Sequence, residues 1–298
     1  MELIKLNNIT YGFARNFKHD KKIRASFNRL TESVFGFSLE NWYHDGFWGD
    51  YYIPYSLLHN NKVVSNISIN KIEFDIERKT RTGIQIGTVM TDEKYRNRGL
   101  SKYLMEKVLH EWKDQTDFVY LFANDSVLDF YPKFNFKVVK EYQHSKTIDT
   151  HSSSSSWKKL NMEDPTDVAF FIERIKESIP IAKISMRNNA SLIMFYCNSN
   201  KKNSIFYIKE LDAIVIADFE GDTVYLDDIF SISPIEINNV IHSISDKRIL
   251  WVILGFTPLD DSGFEKQLLQ GTDKLFMLKD KFEFFTNKHW MFPVLSHA

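Results

Sequence analysis

A single cysteine, Cys197, stands in a chain of 298 residues, so no disulfide can close within it and neither a cysteine-rich zinc site nor a redox pair can be built. An excess of charge is lacking too. Lys and Arg number 38 against 39 Asp and Glu, which leaves no field to draw a polyanion to the surface, and nucleic acid is not expected as a partner. The one basic cluster, Lys18 to Arg24, is broken by His19 and Asp20 and precedes an apolar periodic stretch; it reads as the solvated start of a helix. No apolar run reaches the roughly eighteen residues a membrane helix needs. The opening Met1 to Asn8 has no unbroken apolar stretch of the kind that directs secretion, so the expected location is cytoplasmic, away from membranes. The histidines show no metal-ligand spacing, and no metal is expected.

What is present is the balance of a globular protein, 43 % apolar and 26 % charged residues. The length is about twice that of a compact domain, so two domains are expected, each with its own core. Ile23, Phe27, Leu30 and Val34 recur at helical spacing over Lys22 to Phe35, and a short helical piece follows at Ser38 to Tyr43. Tyr51 to Leu58 and Lys62 to Phe74 read as a hairpin turned at Asn60-Asn61, and Gly83 to Thr91 as a third strand. Leu100, Tyr103, Leu104, Val108, Leu109 and Trp112 mark one face of a helix. The wholly apolar Phe118 to Phe122 predicts a strand buried on both faces, Ser126 to Lys133 a helical turn or two, and Phe136 to Thr147 another strand.

The serine run Ser152 to Ser156 reads as a hairpin loop, because Trp157 to Leu160 beyond it resembles a returning strand. The boundary is therefore placed near Glu163-Asp164-Pro165, giving domains 1–162 and 163–298. The second part repeats the order of the first: helices at Thr166 to Ser178 and Arg187 to Tyr196, three strands from Ser204 to Phe230, a helix at Ile235 to Ile244 and a strand at Ile249 to Leu254. Pro234 falls where the first part has Arg98-Gly99, so a ligand site of the same kind is not expected there.

The chemistry centres on Arg96-Asn97-Arg98-Gly99-Leu100-Ser101, a one-glycine turn between a strand and a helix. Such a turn leaves backbone N–H groups unpaired at the positive end of the helix dipole, which favours an anion, and the two arginines add full charges. Downstream runs Asn124-Asp125-Ser126-Val127-Leu128-Asp129-Phe130-Tyr131-Pro132-Lys133-Phe134-Asn135-Phe136. The two stretches together resemble the signatures of the GNAT superfamily of acyl-CoA N-acyltransferases, Arg/Gln-x-x-Gly-x-Gly/Ala and Asn-x-x-Ala-x-x-Phe-Tyr-x-x-x-Gly-Phe. Arg96, Gly99 and Ser101 match the first, with serine in place of Gly/Ala, and Asn124, Phe130, Tyr131 and Phe136 match the second, with Val127 and Asn135 as departures. The resemblance spans roughly Lys22 to Leu160. It implies an α+β GNAT fold, a mixed and mostly antiparallel central sheet flanked by helices, followed by a second, degenerate GNAT-like α/β domain.

The same resemblance implies acetyl-CoA as co-substrate and an N-acetyltransferase as the activity. The strand end Val89-Met90-Thr91 is expected to pair with the pantetheine amides, and Arg96, Asn97, Arg98, Gly99, Leu100, Ser101 and Lys102 to hold the pyrophosphate. Asn124 is expected to reach the pantetheine arm, and Tyr131 to protonate the departing thiol; with a phenol near pKa ~10 and a thiol near ~8.5 this asks for modest tuning. The general base is open, because Arg81 to Thr91 contains no carboxylate: Glu73, Asp75, Asp125, a water, or the terminal carboxylate of Ala298 remain. The last option follows from a resemblance in doubled architecture to aminoglycoside acetyltransferases of the enhanced-intracellular-survival type. Cys197, on an apolar helical stretch, reads as a structural thiol.

The resemblance further implies that the segment between the second helix and second strand borders the acceptor pocket, so Trp42, Tyr43, Trp48 and Tyr52, with Asp125, are the expected acceptor-binding residues; aromatic faces and carboxylates suit a cationic amine. Direct attack of that amine on acetyl-CoA is the first reading. A CoA-binding module without turnover is the alternative, kept open by the missing strand carboxylate, and aminoacyl transfer from a charged tRNA is disfavoured by the near-neutral charge.

Overall fold

The computed structural model describes residues 1–148, 157–246 and 248–297. The expected Ser152 to Ser156 loop and the Ala298 carboxylate lie outside the described residues. The chain opens with a hairpin, β1 (Glu2–Leu6) and β2 (Ile9–Arg15), turned at Asn7 and Asn8 with φ of 49° and 64°. Two consecutive left-handed residues match the twist of the flanking strands, and asparagine tolerates that region best after glycine. The same device, Asn60 and Asn61 at 50° and 60°, joins β3 (Tyr52–His59) to β4 (Lys62–Ile76). Between the hairpins lie α1 (Lys21–Phe35) and the short α2 (Glu40–His44). Asp20 caps α1 by accepting from the amides of Lys22 and Ile23, and Gly36 ends it in the left-handed region. β5 (Lys79–Thr91), α3 (Leu100–Trp112), β6 (Phe118–Asn124), β7 (Phe136–Val139) and β8 (Tyr142–Thr147) complete the first part.

The second part runs β9 (Trp157–Lys159), α4 (Pro165–Glu177), β10 (Ile184–Met186), α5 (Ala190–Cys197), β11 (Ile205–Ile208), β12 (Ala213–Glu220), β13 (Thr223–Ser231), α6 (Ile237–Ile244), β14 (Trp251–Leu254), β15 (Glu265–Leu268) and β16 (Asp273–Leu278). Among the described residues no helix is long and apolar enough to cross a membrane, and no group of three His, Cys, Asp or Glu is placed to hold a metal.

Two sheets result, both mixed. The first has the order β1-β2-β3-β4-β5-β6-β16-β7, with β10 on β4; the second has β15-β8-β14-β13-β12-β11-β9. In each, antiparallel strands lead to one parallel pair, β5 with β6 or β13 with β14, followed by two more antiparallel strands. The strand next to each parallel pair comes from the other part of the chain: β16 lies on β6, and β8 lies on β14. The two parts therefore exchange strands reciprocally, and the division between the sheets does not fall at 162/163.

This differs from the expected strand Phe136 to Thr147 in one sheet. The chain leaves the first sheet after Val139 and enters the second at Tyr142, and β9 pairs with β11 instead of returning along β8. The hairpin β1–β2 and the strands β10, β15 and β16 are additions to the sequence reading.

Glu141 sits in the crossover between β7 and β8. It is buried, and its Oε1 accepts from the amide of Phe292 at 2.8 Å, tying the crossover to the C-terminal segment. Burial pushes its carboxyl up to about 8, and burial likewise pushes Asp228 up to about 7. A folded value above the unfolded one means the stability is fully present below the unfolded pKa of about 4.3 and lost as pH rises through the folded value. The thermal midpoint is therefore expected to fall between about pH 4 and pH 8, and Glu141→Gln to flatten the upper part of that fall, as followed by circular dichroism.

Candidate active site

β5 and β6 run parallel only from Gly83 to Ile86 and from Phe118 to Leu121. Beyond that register each is held by its outer neighbour: β5 stays on β4 as far as Thr91, opposite Ser65, and β6 stays on β16 as far as Asn124, opposite Asp273. The two strands part, and the gap-side backbone groups of Gly87 to Thr91 face no strand. A bulge sharpens the parting, since the β4 register shifts between Asn66 and Ser68 and Thr88 takes φ of 48°. Buried polar groups hold this bulge. Asn66 donates from Nδ2 to the Thr88 carbonyl at 3.0 Å and to Ser68 Oγ at 2.9 Å, its Oδ1 accepts from Ser56, and the Tyr52 hydroxyl lies 2.9 Å from Thr88 Oγ1.

A cavity of about 410 Å³ opens on one side of the parting, lined by Val89, Met90 and Thr91, by Arg96, Asn97 and Gly99 to Lys102, and by Val127, Phe130 and Tyr131. The helix α3 begins here without a side-chain cap, and its first internal bond is from the amide of Tyr103 to the Gly99 carbonyl at 3.0 Å. The amides of Leu100, Ser101 and Lys102 thus precede the helical ladder, at the positive end of the dipole. Asn97 and Gly99 both have positive φ, 61° and 77°, which curls the backbone into a concavity. A Cβ on Gly99 would meet nothing within 4 Å, so glycine is required there by the dihedral angle and not by crowding among the protein's own atoms. Ser101, at the position where the GNAT signature has Gly or Ala, shares a 2.8 Å hydrogen bond with Thr91, which makes another at 2.8 Å with Ser65. The three hydroxyls fasten the start of α3 to the end of β5.

Of the two arginines, Arg96 lines the cavity, whereas Arg98 turns away: it donates to the Lys94 carbonyl at 2.7 Å and lies over the Tyr95 ring. A second cavity of about 370 Å³ lies across the parting, lined by Phe35, Phe37, Ile86 to Val89, Phe122 to Asn124, Ser126, Val127, Tyr131 and Asp273. Both cavities share Val89, Val127 and Tyr131. Tyr131 begins a short 3₁₀ turn, packs 5.4 Å from the ring of Phe276 on β16, and has no hydrogen-bond partner for its hydroxyl among the described residues. Burial pushes its phenol up to about 12. Asn124 lines the second cavity, and its Oδ1 caps the amide of Ser126 at 3.0 Å.

Several expected residues fall elsewhere. Trp42, Trp48 and Tyr52 are buried together in the core under α1, with Trp42 and Trp48 stacked at 5.9 Å and Trp48 5.2 Å from Tyr52; Tyr43 lies under the Arg24 guanidinium at 3.6 Å. None of the four lines either cavity. Asp125 is ion-paired with Lys274. Among the base candidates, Asp75 is paired with Arg187 at 3.0 Å, and both Asp75 and Glu73 sit at the far end of β4, opposite Thr80 and Thr82. The residues that sequence reasoning missed are Phe35, Phe37 and Asp273. Phe35 and Phe37 flank the helix-ending Gly36 as exposed rings, which was a readable signal; Asp273 carried none.

The corresponding parting of β13 and β14, beyond Leu226 and Leu254, is filled by the protein itself. The amide of Val294 donates to the Gly255 carbonyl at 2.8 Å, and a Cβ at Gly255 would lie 2.6 Å from the Val294 side chain and 2.8 Å from Asp227 Cα. Leu295 beside it joins the core of Phe171, Ile193 and Phe230.

The family model of the GNAT acetyltransferase domain matches residues 10–139, which contain every cavity residue named above except Asp273. The chain carries a GNAT acetyltransferase domain and is an acyltransferase. Solved structures agree on the fold. A GCN5-related N-acetyltransferase from Kribbella flavida is similar at 14 % identity and a TM-score of 0.56, covering 90 % of this chain and 70 % of its own. A conserved protein of unknown function from Enterococcus faecalis is similar at 12 % identity and a TM-score of 0.59, over 92 % and 74 %. Eis1 from Mycobacterium abscessus is similar at 12 % and 0.55, over 89 % and 73 %. Among curated proteins no sequence matches.

The GNAT turn's dependence on a left-handed residue is testable. Gly99→Ala is expected to lower unfolding stability by about 1–2 kcal/mol in urea titration, and Gly99→Asn by less.

Proposed function

We propose that this acyltransferase is an N-acetyltransferase, which moves the acetyl group of acetyl-CoA to the primary amine of a cationic acceptor by direct attack in a ternary complex. The observation that carries this reading is the meeting of two cavities at Val89, Val127 and Tyr131 where β5 and β6 part. In it the uncapped amides of Leu100 to Lys102 and the Arg96 guanidinium receive the pyrophosphate, and the free edge of Val89 to Thr91 pairs with the pantetheine amides as an added strand would. The thioester then lies at the shared wall, and the acceptor approaches from the cavity of Phe35, Phe37 and Asp273.

The acceptor's ammonium gives one proton to water, the neutral nitrogen attacks the thioester carbon, and the tetrahedral intermediate collapses as the C–S bond breaks toward sulfur and a second proton passes from nitrogen to water. Tyr131 is the donor to that sulfur. At about 12 its phenol stays protonated at every working pH, yet lies well above a thiol near pKa ~8.5, so it stabilises the departing thiolate chiefly as a hydrogen-bond donor, and full proton transfer is not favoured. The modest tuning expected from a phenol near ~10 is thus replaced by a wider gap, opened by burial. The segment 163–298 holds no coenzyme site of the same kind in this reading, because Val294 and Leu295 occupy its parting.

Thiol release from acetyl-CoA is expected only when a primary amine is added, with cationic amines ahead of neutral or anionic ones. Tyr131→Phe is expected to lower kcat by about 10²-fold while coenzyme affinity, read by calorimetry, stays within about threefold. Coenzyme binding without amine-dependent thiol release in the unaltered protein would instead mark a binding module.

A further inference from the structure

We propose that Asp273, brought from the second part of the chain on β16, is the anionic contact for the acceptor's ammonium group, and that the exposed rings of Phe35 and Phe37 receive the apolar or aromatic group that carries it. The inference rests on the transferase reading for its place in the reaction, but the binding site it describes can be tested without turnover.

Asp273 is the one charged residue lining the second cavity. Its register partner is Asn124, so it stands at the mouth of the parting, beside the last residue of β6. Among the described residues its carboxylate has no hydrogen-bond or ion-pair partner. The neighbouring carboxylate, Asp125, differs on both counts: it lines neither cavity and is neutralised by Lys274, the residue after Asp273. No Lys or Arg lines the second cavity, so nothing there would hold an anionic acceptor or compete for Asp273. One carboxylate in a concave, mostly apolar wall focuses a negative potential that favours a single positive charge.

The apolar side is equally specific. Phe35 and Phe37 remain 45 % and 40 % exposed, their rings stacked 6.0 Å apart, and Phe37 is braced edge-on by Phe195 at 5.9 Å. Two braced rings facing a cavity of about 370 Å³ suit an amine on a compact hydrophobic body, and their faces add attraction for its charge. The second part of the chain thereby contributes to acceptor choice, although its own strand parting is filled by Val294.

The test uses the full chain with coenzyme A present, and phenethylamine and 2-phenylethanol as a matched cationic and neutral pair. Calorimetric titration is expected to show that Asp273→Asn weakens phenethylamine binding by about tenfold or more, leaves 2-phenylethanol within about twofold, and raises the KM for phenethylamine with kcat within about threefold. Asp129→Asn, an exposed carboxylate that lines neither cavity, is expected to change nothing. Equal phenethylamine affinity in the unaltered protein and Asp273→Asn, or no preference for the ammonium over the alcohol, overturns the proposal. A preserved preference in a protein that transfers no acetyl group overturns the transferase reading and leaves the site standing.

Discussion

The separation of β5 from β6 is the constraint on which the site depends. Parallel strands normally continue side by side until one ends; here both continue after only four paired positions, because each has a stronger commitment on its outer side. β4 follows β5 to Thr91 and fixes the bulge at Thr88 through Asn66, while β16 follows β6 to Asn124. The open wedge contains backbone groups that the fold itself leaves without partners, and they lie next to the uncapped start of α3. Unpaired amides and carbonyls in a cleft are costly unless a ligand or water meets them. The wedge is therefore the part of the sheet that a ligand or water has to complete.

The exchange of strands explains how two similar sheets reach different ends. In the first, the visiting strand β16 supplies Phe276 beneath Tyr131 and leaves the wedge open. In the second, the visiting strand β8 plays the same structural part, but the C-terminal segment threads into the wedge and Gly255 makes room for Val294. There the Gly255 carbonyl is met by the Val294 amide, and the parting is packed by Val294 and Leu295.

Much of this was legible in the sequence where a local rule governs. The 3.6-residue period fixed α3, paired asparagines fixed the β3–β4 turn, and the lone glycine at Gly99 marked the turn into α3. The same asparagine signal at Asn7 and Asn8 announces β1 and β2, and the run Leu275-Phe276-Met277-Leu278 has the form of a buried strand. What no local pattern carries is which sheet a strand joins. β8 and β16 have ordinary strand sequences, and their exchange depends on packing between parts far apart in the chain. The aromatic residues show the same limit: Trp42, Trp48 and Tyr52 have the composition of a pocket and the burial of a core, while Phe35 and Phe37, less conspicuous in the sequence, are the rings left exposed.

The position of β16 also sets a timetable for synthesis. Its first residue, Asp273, pairs with Asn124, so β6 must wait for a partner made about 150 residues later. At bacterial or eukaryotic elongation rates of about 5–20 residues per second, that is a delay on the order of ten to thirty seconds. During it the nascent first sheet exposes the edge of a strand whose sequence is Phe-Val-Tyr-Leu-Phe, a template for unwanted pairing with other chains. The first sheet therefore cannot be completed until the ribosome has passed Leu278, by which time most of the second part of the chain also exists.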